Sequence, residues 1–169
     1  IAANFVHLRV HSDYSMLDGL NKVKPLIAHV KKLGMPAVAI TDQMNMCGLV
    51  KFYSQAHENG IKPIIGVDFW VQSDELDGVL FRLTLLAMNN KGYKNITLLI
   101  SKAYLRGSIK DRAVIDKSWL VEYSQGVIIL SGGKAGDIGM LLAKGSTDIA
   151  NQATQFYLQH FSERFYLEL

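Results

Sequence analysis

The sequence predicts an α/β fold in which short buried strands alternate with amphipathic helices. In the first half of the chain the same pattern occurs twice: a helix ends at a glycine, a proline follows closely, and an apolar strand comes next, at Gly34 and Pro36 and again at Gly60 and Pro63. Repeated units of this kind favour a largely parallel sheet. About six strands alternating with helices fit a doubly wound open sheet or a (β/α) barrel, and in both folds the functional groups gather at the carboxyl ends of the strands.

The composition is that of one soluble globular domain spanning residues 1–169. Hydrophobic residues make up 49% of the chain and charged residues 20%, which excludes a disordered protein. The single cysteine, Cys47, excludes an internal disulfide, and no secretory leader opens the chain, so a reducing, cytoplasmic compartment is expected. No apolar run approaches the roughly 20 residues that cross a bilayer, and no membrane partner is expected.

The net charge of +3 is too weakly basic to predict nucleic-acid binding. The nearest approach to a basic stripe consists of Lys91, Lys94, Lys102, Arg106, Lys110, Arg112 and Lys117. Asp111 and Asp116 interrupt it, which is typical of a solvated helix face followed by a loop.

The first predicted strand, over residues 5–11, carries ionisable side chains on one face. Side chains alternate along a strand, so the expected polar face consists of Phe5, His7, Arg9 and His11. The expected buried, apolar face consists of Val6, Leu8 and Val10. Two imidazoles and a guanidinium in a row are costly to bury unless they meet carboxylates, a metal ion or phosphate, which marks this face as a candidate site. The alternative is an edge strand whose polar face contacts water.

Helix and strand signals then follow in order through the first half of the chain. The predicted elements are a helix over 23–33, a strand over 37–41, a helix from Leu49 to the Asn59-Gly60 turn, and a strand over 63–71. The polar link 72–78 is too short for a crossover helix and predicts a hairpin-like connection.

The second half continues the alternation. The predicted elements are a strand over 81–88, a helix over 93–106, a loop over 107–116, a short helix near Trp119, a strand over 126–131, a helix ending near Gly145, a helix over 147–160 and a strand over 164–169. Because the chain stops inside the last strand, we expect the natural polypeptide to continue.

The carboxyl ends of the predicted strands bring the candidate site residues together. They are His7, Arg9, His11, Asp13, Asp42, Asp68, Arg82 and the turn that contains Gly133. Histidine and aspartate ligands from several strand ends suit a divalent cation such as Zn²⁺, Mn²⁺ or Mg²⁺. A guanidinium has no lone pair and repels a cation, so the two arginines argue against a working metal centre.

Five stretches of the sequence carry a family resemblance. They are HLRVHSDYSMLDG from His7, AVAITDQMNMCGLVKFY from Ala37, GIKPIIGVDF from Gly60, LTLLAMNNKGYKNITLLISKAYLRG from Leu83 and GVIILSGGKAGDIG from Gly126. Together they resemble the N-terminal PHP (polymerase and histidinol phosphatase) domain of bacterial DNA polymerase III alpha subunits over essentially the whole chain. The resemblance implies a distorted (β/α) barrel of the PHP type, incomplete here because the chain stops in a strand.

Metal-binding members of that family differ from this chain in their first two motifs. The first motif reads His-x-His, and this chain has Arg9 before His11. The second motif reads Thr-Asp-His, and here Asp42 is followed by Gln43. Two ligand positions have therefore changed to residues that bind metal poorly or not at all.

Three further positions differ from the metal-binding pattern. The resemblance leads one to expect a glutamate at Asp68, a histidine at Arg82 and a cysteine at Gly133. It therefore implies a vestigial metal site without a cofactor. If any metal ion binds, the remaining ligands are His11, Asp42 and Asp68.

The resemblance also implies a role. The parent protein would be a DNA-directed DNA polymerase, a nucleotidyltransferase of DNA replication, whose catalytic residues lie outside these 169 residues. The domain itself would be an inactive structural module that supports the rest of the alpha chain and docks the proofreading exonuclease, the epsilon subunit. It would meet DNA only through the parent polymerase.

The altered positions suggest a physical hypothesis. Removing the cations leaves Asp42 and Asp68 uncompensated, and an unpaired buried carboxylate costs about 3 to 5 kcal/mol. We predict that Arg9 and Arg82 supply the missing positive charge. The alternative is a residual Mg²⁺- or Mn²⁺-dependent phosphoesterase or pyrophosphatase, in which the arginines hold phosphate beside a metal-bound water.

Overall fold

The computed structural model describes residues 5–109 and 111–168 and confirms the α/β class. The helices are α1 (Val23–Lys32), α2 (Leu49–Glu58), α3 (Asn90–Arg106), α4 (Trp119–Glu122), α5 (Asp137–Ala143) and α6 (Thr147–His160). The strands are β1 (Ala37–Ile40), β2 (Lys62–Gln72), β3 (Phe81–Ala87), β4 (Ser108–Ile109), β5 (Arg112–Ala113), β6 (Ile115–Asp116), β7 (Val127–Leu130) and β8 (Phe165–Tyr166). The chain divides into two compact units, 1–67 and 68–169, and β2 runs through the boundary.

The first unit is built on the parallel pair of β1 and β2. Ala37 lies opposite Lys62 and Ile40 opposite Ile65. One apolar cluster joins β1 to both helices of this unit; its buried members are Val23, Ile27, Val30, Met35, Val38, Ile40, Phe52, Ala56 and Ile61. The helices predicted over 23–33 and from Leu49 and the strands predicted over 37–41 and 63–71 are therefore confirmed, although the predicted apolar positions Val50 and Tyr53 are exposed and lie outside the cluster.

The opening segment differs from its prediction. It forms no regular strand within the described residues, and its backbone bends at Leu8. The carbonyls of His7 and Val10 accept hydrogen bonds from the backbone N–H groups of Ala39 (2.9 Å) and Thr41 (2.8 Å). The two accepting residues are three positions apart in the opening segment, whereas the two donating residues are two positions apart. The opening segment therefore carries one extra residue, which interrupts the alternation of faces. As a result Leu8, predicted to be buried, is 41% exposed.

The second unit carries a mixed sheet, which differs from the predicted largely parallel sheet by the antiparallel pairing of β3 with β7. Its strand order is β2, β3, β7, β8, with β6 added to β2. The β3–β7 pair is antiparallel, whereas β7–β8 and β2–β6 are parallel. The reason lies at the junction of these strands: the N–H of Met88, just after β3, donates to the carbonyl of Gly126, just before β7, at 2.9 Å. The start of β7 therefore lies beside the end of β3.

The predicted loop 107–116 contains strands instead. β4 and β5 pair as antiparallel strands, with Ile109 opposite Arg112. β6 pairs with the end of β2. Asp111 has a positive φ of 63°, as expected in a tight turn. Ile115 is fully buried. An isoleucine within a charged stretch is the sequence signal for β6. An interpretation based only on the composition of the segment overlooks it.

A buried ionic cluster joins several elements of the second unit. The link 72–78 contains a short 3₁₀ helix, and its Glu75 carboxylate lies 2.7 Å from Lys117 Nζ. Lys117 Nζ also lies 3.0 Å from Asp137 Oδ2, to which the Tyr157 hydroxyl donates at 2.7 Å. Burial and the Asp137 charge raise the pKa of Tyr157 well above its usual value. Lys117 is only 5% exposed, so the prediction of a solvated basic run is wrong at this position.

The other positions of the predicted basic run behave differently. Lys91, Lys94, Arg106 and Arg112 are exposed, as expected, whereas Lys110 lies outside the described residues. No helix of the described ranges is both long and apolar enough to cross a membrane.

Candidate functional site

Asp42 follows β1 and is held by serine donors. Its side chain is 3% exposed. Oδ1 accepts hydrogen bonds from the backbone N–H of Ser12 (2.6 Å) and the hydroxyl of Ser15 (3.1 Å), and Oδ2 accepts one from the hydroxyl of Ser12 (2.7 Å). Three donors satisfy a buried carboxylate without a cation. The prediction that Arg9 compensates Asp42 is therefore wrong.

The two serines belong to a compact turn that follows the opening segment. The N–H of Ser15 donates to the carbonyl of Ser12 at 2.9 Å, and the N–H of Gly19 donates to the carbonyl of Ser15 at 2.7 Å. A Cβ at Gly19 would lie 1.7 Å from the backbone carbonyl oxygen of Ser12, so only glycine allows this close approach. The hydroxyl of Ser15 also accepts the backbone N–H of Gln43 at 2.8 Å. The turn therefore orients its donors before any ligand binds.

An open cleft lies beside this turn within the first unit. It has a volume of about 390 Å³ and is lined by His7, Arg9, Val10, His11, Asp18, Asn21 and Leu26. The structure thus brings three of the predicted residues, two histidines and an arginine, to one surface. His11 Nδ1 contacts Asp18 Oδ1 at 2.8 Å, so an acidic side chain of the turn already engages this imidazole. Asp13 is exposed and does not line the cleft.

Asp68 and Arg82 form an ion pair in the second unit. Asp68 lies on β2 and Arg82 on β3, and Arg82 Nη2 lies 2.7 Å from Asp68 Oδ2. The carboxylate side chain is fully buried and the arginine side chain is 17% exposed. The Arg82 guanidinium carbon also lies 5.1 Å from the centre of the Trp70 ring, within cation–π range. The prediction that Arg82 supplies positive charge to Asp68 is confirmed.

Gly133 lies in a turn whose backbone is left-handed. Its φ is +55° and that of Gly132 is +75°, values that side chains other than glycine rarely adopt. A Cβ at Gly132 would lie 2.2 Å from the carbonyl oxygen of Arg82. The N–H of Gly132 donates to Glu168 Oε2 at 2.6 Å. The position at which metal-binding relatives are expected to carry a cysteine is therefore shaped here for glycine.

The side chains that are present do not fit a metal cluster of the family type. Asp68 is engaged by a guanidinium, Asp42 by two serines and His11 by Asp18. Across residues 5–109 and 111–168, no three His, Cys, Asp or Glu side chains are grouped so that they could hold an ion. What the arrangement offers chemically is fixed charge and hydrogen bonding.

Sequence reasoning missed the groups that complete these contacts. The sequence does contain a signal for Ser12 and Ser15 as donors. Two hydroxyl residues three positions apart follow His11 directly, in a turn that ends at a glycine. Asp18 precedes that glycine. Trp70 lies two residues after Asp68 on the same strand, and its contact with Arg82 depends on a pairing between strands that a single sequence does not reveal.

Comparisons with known proteins identify a family for this chain. The PHP domain family profile matches residues 7–169. The chain is 59% identical to DNA polymerase III subunit alpha of Vibrio cholerae and 56% identical to that of Escherichia coli K12, in each case over 98% of this chain. It spans 14% of the length of these relatives. A solved two-domain protein from Bacteroides vulgatus, containing a predicted PHP-like metal-dependent phosphoesterase, aligns with a TM-score of 0.49 at 15% identity, over 84% of this chain and 41% of the other.

Proposed function

Because the chain belongs to the PHP domain family, we propose that it is the PHP domain of a replicative DNA polymerase alpha subunit and that it acts as a scaffold without metal chemistry. In this role it supports the rest of the alpha chain in the cytoplasm during DNA replication. DNA is bound and extended by other parts of the polypeptide, whose relatives are about seven times longer than these 169 residues.

The ion pair between Asp68 and Arg82 is the observation that carries this proposal. A buried carboxylate attracts either a metal ion or a protein cation, and here a guanidinium lies 2.7 Å away. A second cation at the same oxygen atoms would be repelled by the arginine charge. The serine donors around Asp42 support the same conclusion, because a metal ion would have to displace hydrogen bonds that are already made.

Hydrolysis assays test the loss of catalysis. The complete polypeptide is incubated with Mn²⁺ or Mg²⁺ and either a chromogenic phosphodiester or pyrophosphate, next to an Asp42→Asn variant. We expect no hydrolysis that depends on Asp42. Hydrolysis by the parent protein that the variant lacks would contradict the proposal, whereas equal hydrolysis by both would identify a contaminating enzyme.

One observation favours the alternative, a residual phosphoesterase. The cleft of the first unit presents His7, Arg9 and His11 to the same space, and imidazole and guanidinium N–H groups can hold a phosphate. The same assays distinguish the two functions. A phosphoesterase loses activity in Asp42→Asn and gains it with added Mn²⁺, while a scaffold shows neither response.

The scaffold role includes docking of the proofreading exonuclease, the epsilon subunit. The resemblance to the polymerase alpha subunits supports this part of the proposal. The test is size-exclusion chromatography of the complete polypeptide mixed with epsilon, next to a polypeptide that lacks residues 1–169. We expect co-elution only when these residues are present, and equal co-elution of both forms would contradict docking by this domain.

A further inference from the structure

A second cleft, in the unit formed by residues 68–169, is separate from the vestigial site. It has a volume of about 540 Å³ and is lined by Trp70, Gly78, Val79, Leu80, Ile109 and Arg112. Its walls come from β2, from the link before β3 and from the β4 and β5 strands. A space of this volume lies within the range of ligand pockets, and aliphatic walls favour an apolar group.

The indole of Trp70 forms the aromatic part of the cleft and contacts two arginines. The guanidinium carbon of Arg82 lies 5.1 Å from the ring centre and that of Arg112 lies 5.4 Å from it. Both distances are within cation–π range. The two contacts hold the indole, so the cleft has a defined aromatic surface before a ligand arrives.

The two arginines differ in the compensation of their charge. Arg82 is ion-paired with Asp68. Arg112 is exposed, and its guanidinium makes no hydrogen bond or ion pair to any residue in 5–109 or 111–168, while it lies over the Trp70 indole. The rim of the cleft therefore carries a positive charge that no described carboxylate neutralises.

We propose that this cleft binds a peptide segment of a partner protein in which a large apolar side chain stands next to an aspartate or glutamate. The apolar side chain would pack against Val79, Leu80 and Ile109, and the carboxylate would pair with Arg112. None of its lining residues belongs to the vestigial site, and the two sites touch through the contact of Trp70 with Arg82 described above.

Charge complementarity favours a peptide over a nucleic acid. A nucleic-acid strand is bound by several cations that follow its phosphates, whereas the cleft offers Arg112 together with three aliphatic side chains. The lining includes one aromatic ring, Trp70, which already contacts two guanidinium groups, and its three aliphatic side chains suit a leucine or phenylalanine side chain.

The first experiment is a selection of random dodecapeptides displayed on phage against the complete polypeptide, with counter-selection against an Arg112→Ala variant. We expect the enriched sequences to place a large apolar residue within two positions of an acidic one. Enriched sequences without an acidic residue, or no enrichment at all, would overturn the proposal.

The second experiment measures the affinity of the fluorescein-labelled consensus peptide by anisotropy. Arg112→Ala should weaken binding at least about tenfold, and Val79→Asp should do the same because it places a negative charge on the wall. Arg106→Ala, which removes an exposed arginine that does not line the cleft, should leave the affinity unchanged. Thermal melting of each variant identifies any loss of folding.

Two results of this measurement would contradict the proposal. In the first, the peptide with asparagine in place of aspartate binds as tightly as the acidic peptide. In the second, a thymidine dodecamer binds with the same dependence on Arg112, which would assign the cleft to single-stranded DNA.

Discussion

Two serine hydroxyls show how single residues can stabilise a buried carboxylate. Ser12 and Ser15 donate to both oxygen atoms of Asp42, and all three side chains are at most 3% exposed. In a site of this kind each donor is needed, because a lost partner leaves the carboxylate unsatisfied where water does not reach it. The motif that resembles a metal-binding sequence thus has a structural role in this chain.

At this scale, Ser12→Ala and Ser15→Ala are predicted to lower the free energy of unfolding by about 1 to 3 kcal/mol each. Ser12→Ala removes the hydroxyl that donates to Oδ2 of Asp42, whereas Ser15→Ala removes one of two donors to Oδ1 together with the acceptor of the Gln43 N–H. Urea unfolding followed by circular dichroism measures the change. Asp13→Ala is the matched control, because this neighbouring side chain is exposed and should change stability by less than about 0.5 kcal/mol. Equal effects of all three substitutions would contradict the interpretation.

The Asp68–Arg82 pair gives a second prediction for single residues. Arg82→Met alone should cost about 3 to 5 kcal/mol, because it leaves the fully buried carboxylate without its cation. The double variant Asp68→Leu, Arg82→Met should recover much of that loss, since no charge is then left buried. Chemical unfolding of the single and double variants forms the test. If the two losses simply added, the pair would not be coupled.

The residue contacts were only partly predictable from sequence. The pairing of a carboxylate with an arginine on a neighbouring strand followed from charge balance, and Arg82 confirmed it. The expected partner of Asp42 was an arginine, but serines from the preceding turn satisfy it instead. A nearby hydroxyl and a distant guanidinium can satisfy the same acid, and the choice depends on a turn geometry that spacing alone does not give.

At the scale of elements, periodicity predicted the helices well. The spacing of apolar residues placed α6 over 147–160, as the structure has it. Strand direction was not predictable in the same way. The antiparallel β7 depends on contacts at its entry, where a Cβ on Gly92 of α3 would lie 1.8 Å from the carbonyl oxygen of Gly126. The prediction of a regular strand in the opening segment is wrong for a related reason, since one inserted residue changes which side chains face the core.

The buried cluster around Lys117 links elements and gives a prediction about pH. The pKa of Tyr157 is raised by burial and by Asp137, so the folded state holds this proton more tightly than the unfolded state does. Its contribution to stability is therefore complete below about pH 10, the value of a free tyrosine, and is lost as the pH rises towards the folded pKa.

Tyr157→Phe should accordingly reduce the steepness with which stability falls above about pH 10, by up to about 1.4 kcal/mol per pH unit. The measurement is the free energy of urea unfolding at a series of pH values for the parent and the variant. Tyr104→Phe is the control, because Tyr104 is 61% exposed. Parallel curves for the parent and Tyr157→Phe would contradict the assignment.

For the whole molecule, composition and alternation were enough to predict an α/β protein, and the family profile covers nearly all of it. The interpretation of 1–169 as one domain stays a prediction beside the two compact units. The chain belongs to the PHP domain family, and the acidic groups of its expected metal site are engaged by other protein groups. Family membership alone therefore does not establish what chemistry this chain performs.

Mn²⁺ binding, measured by electron paramagnetic resonance of the free ion, tests that claim most directly. The complete polypeptide, its Asp42→Asn variant and its Asp68→Asn variant are titrated with Mn²⁺ at neutral pH. The account predicts that these acids form no stoichiometric site, so the free-ion signal is the same for all three proteins. Tight binding of one or more ions by the parent protein, lost in either variant, would contradict it.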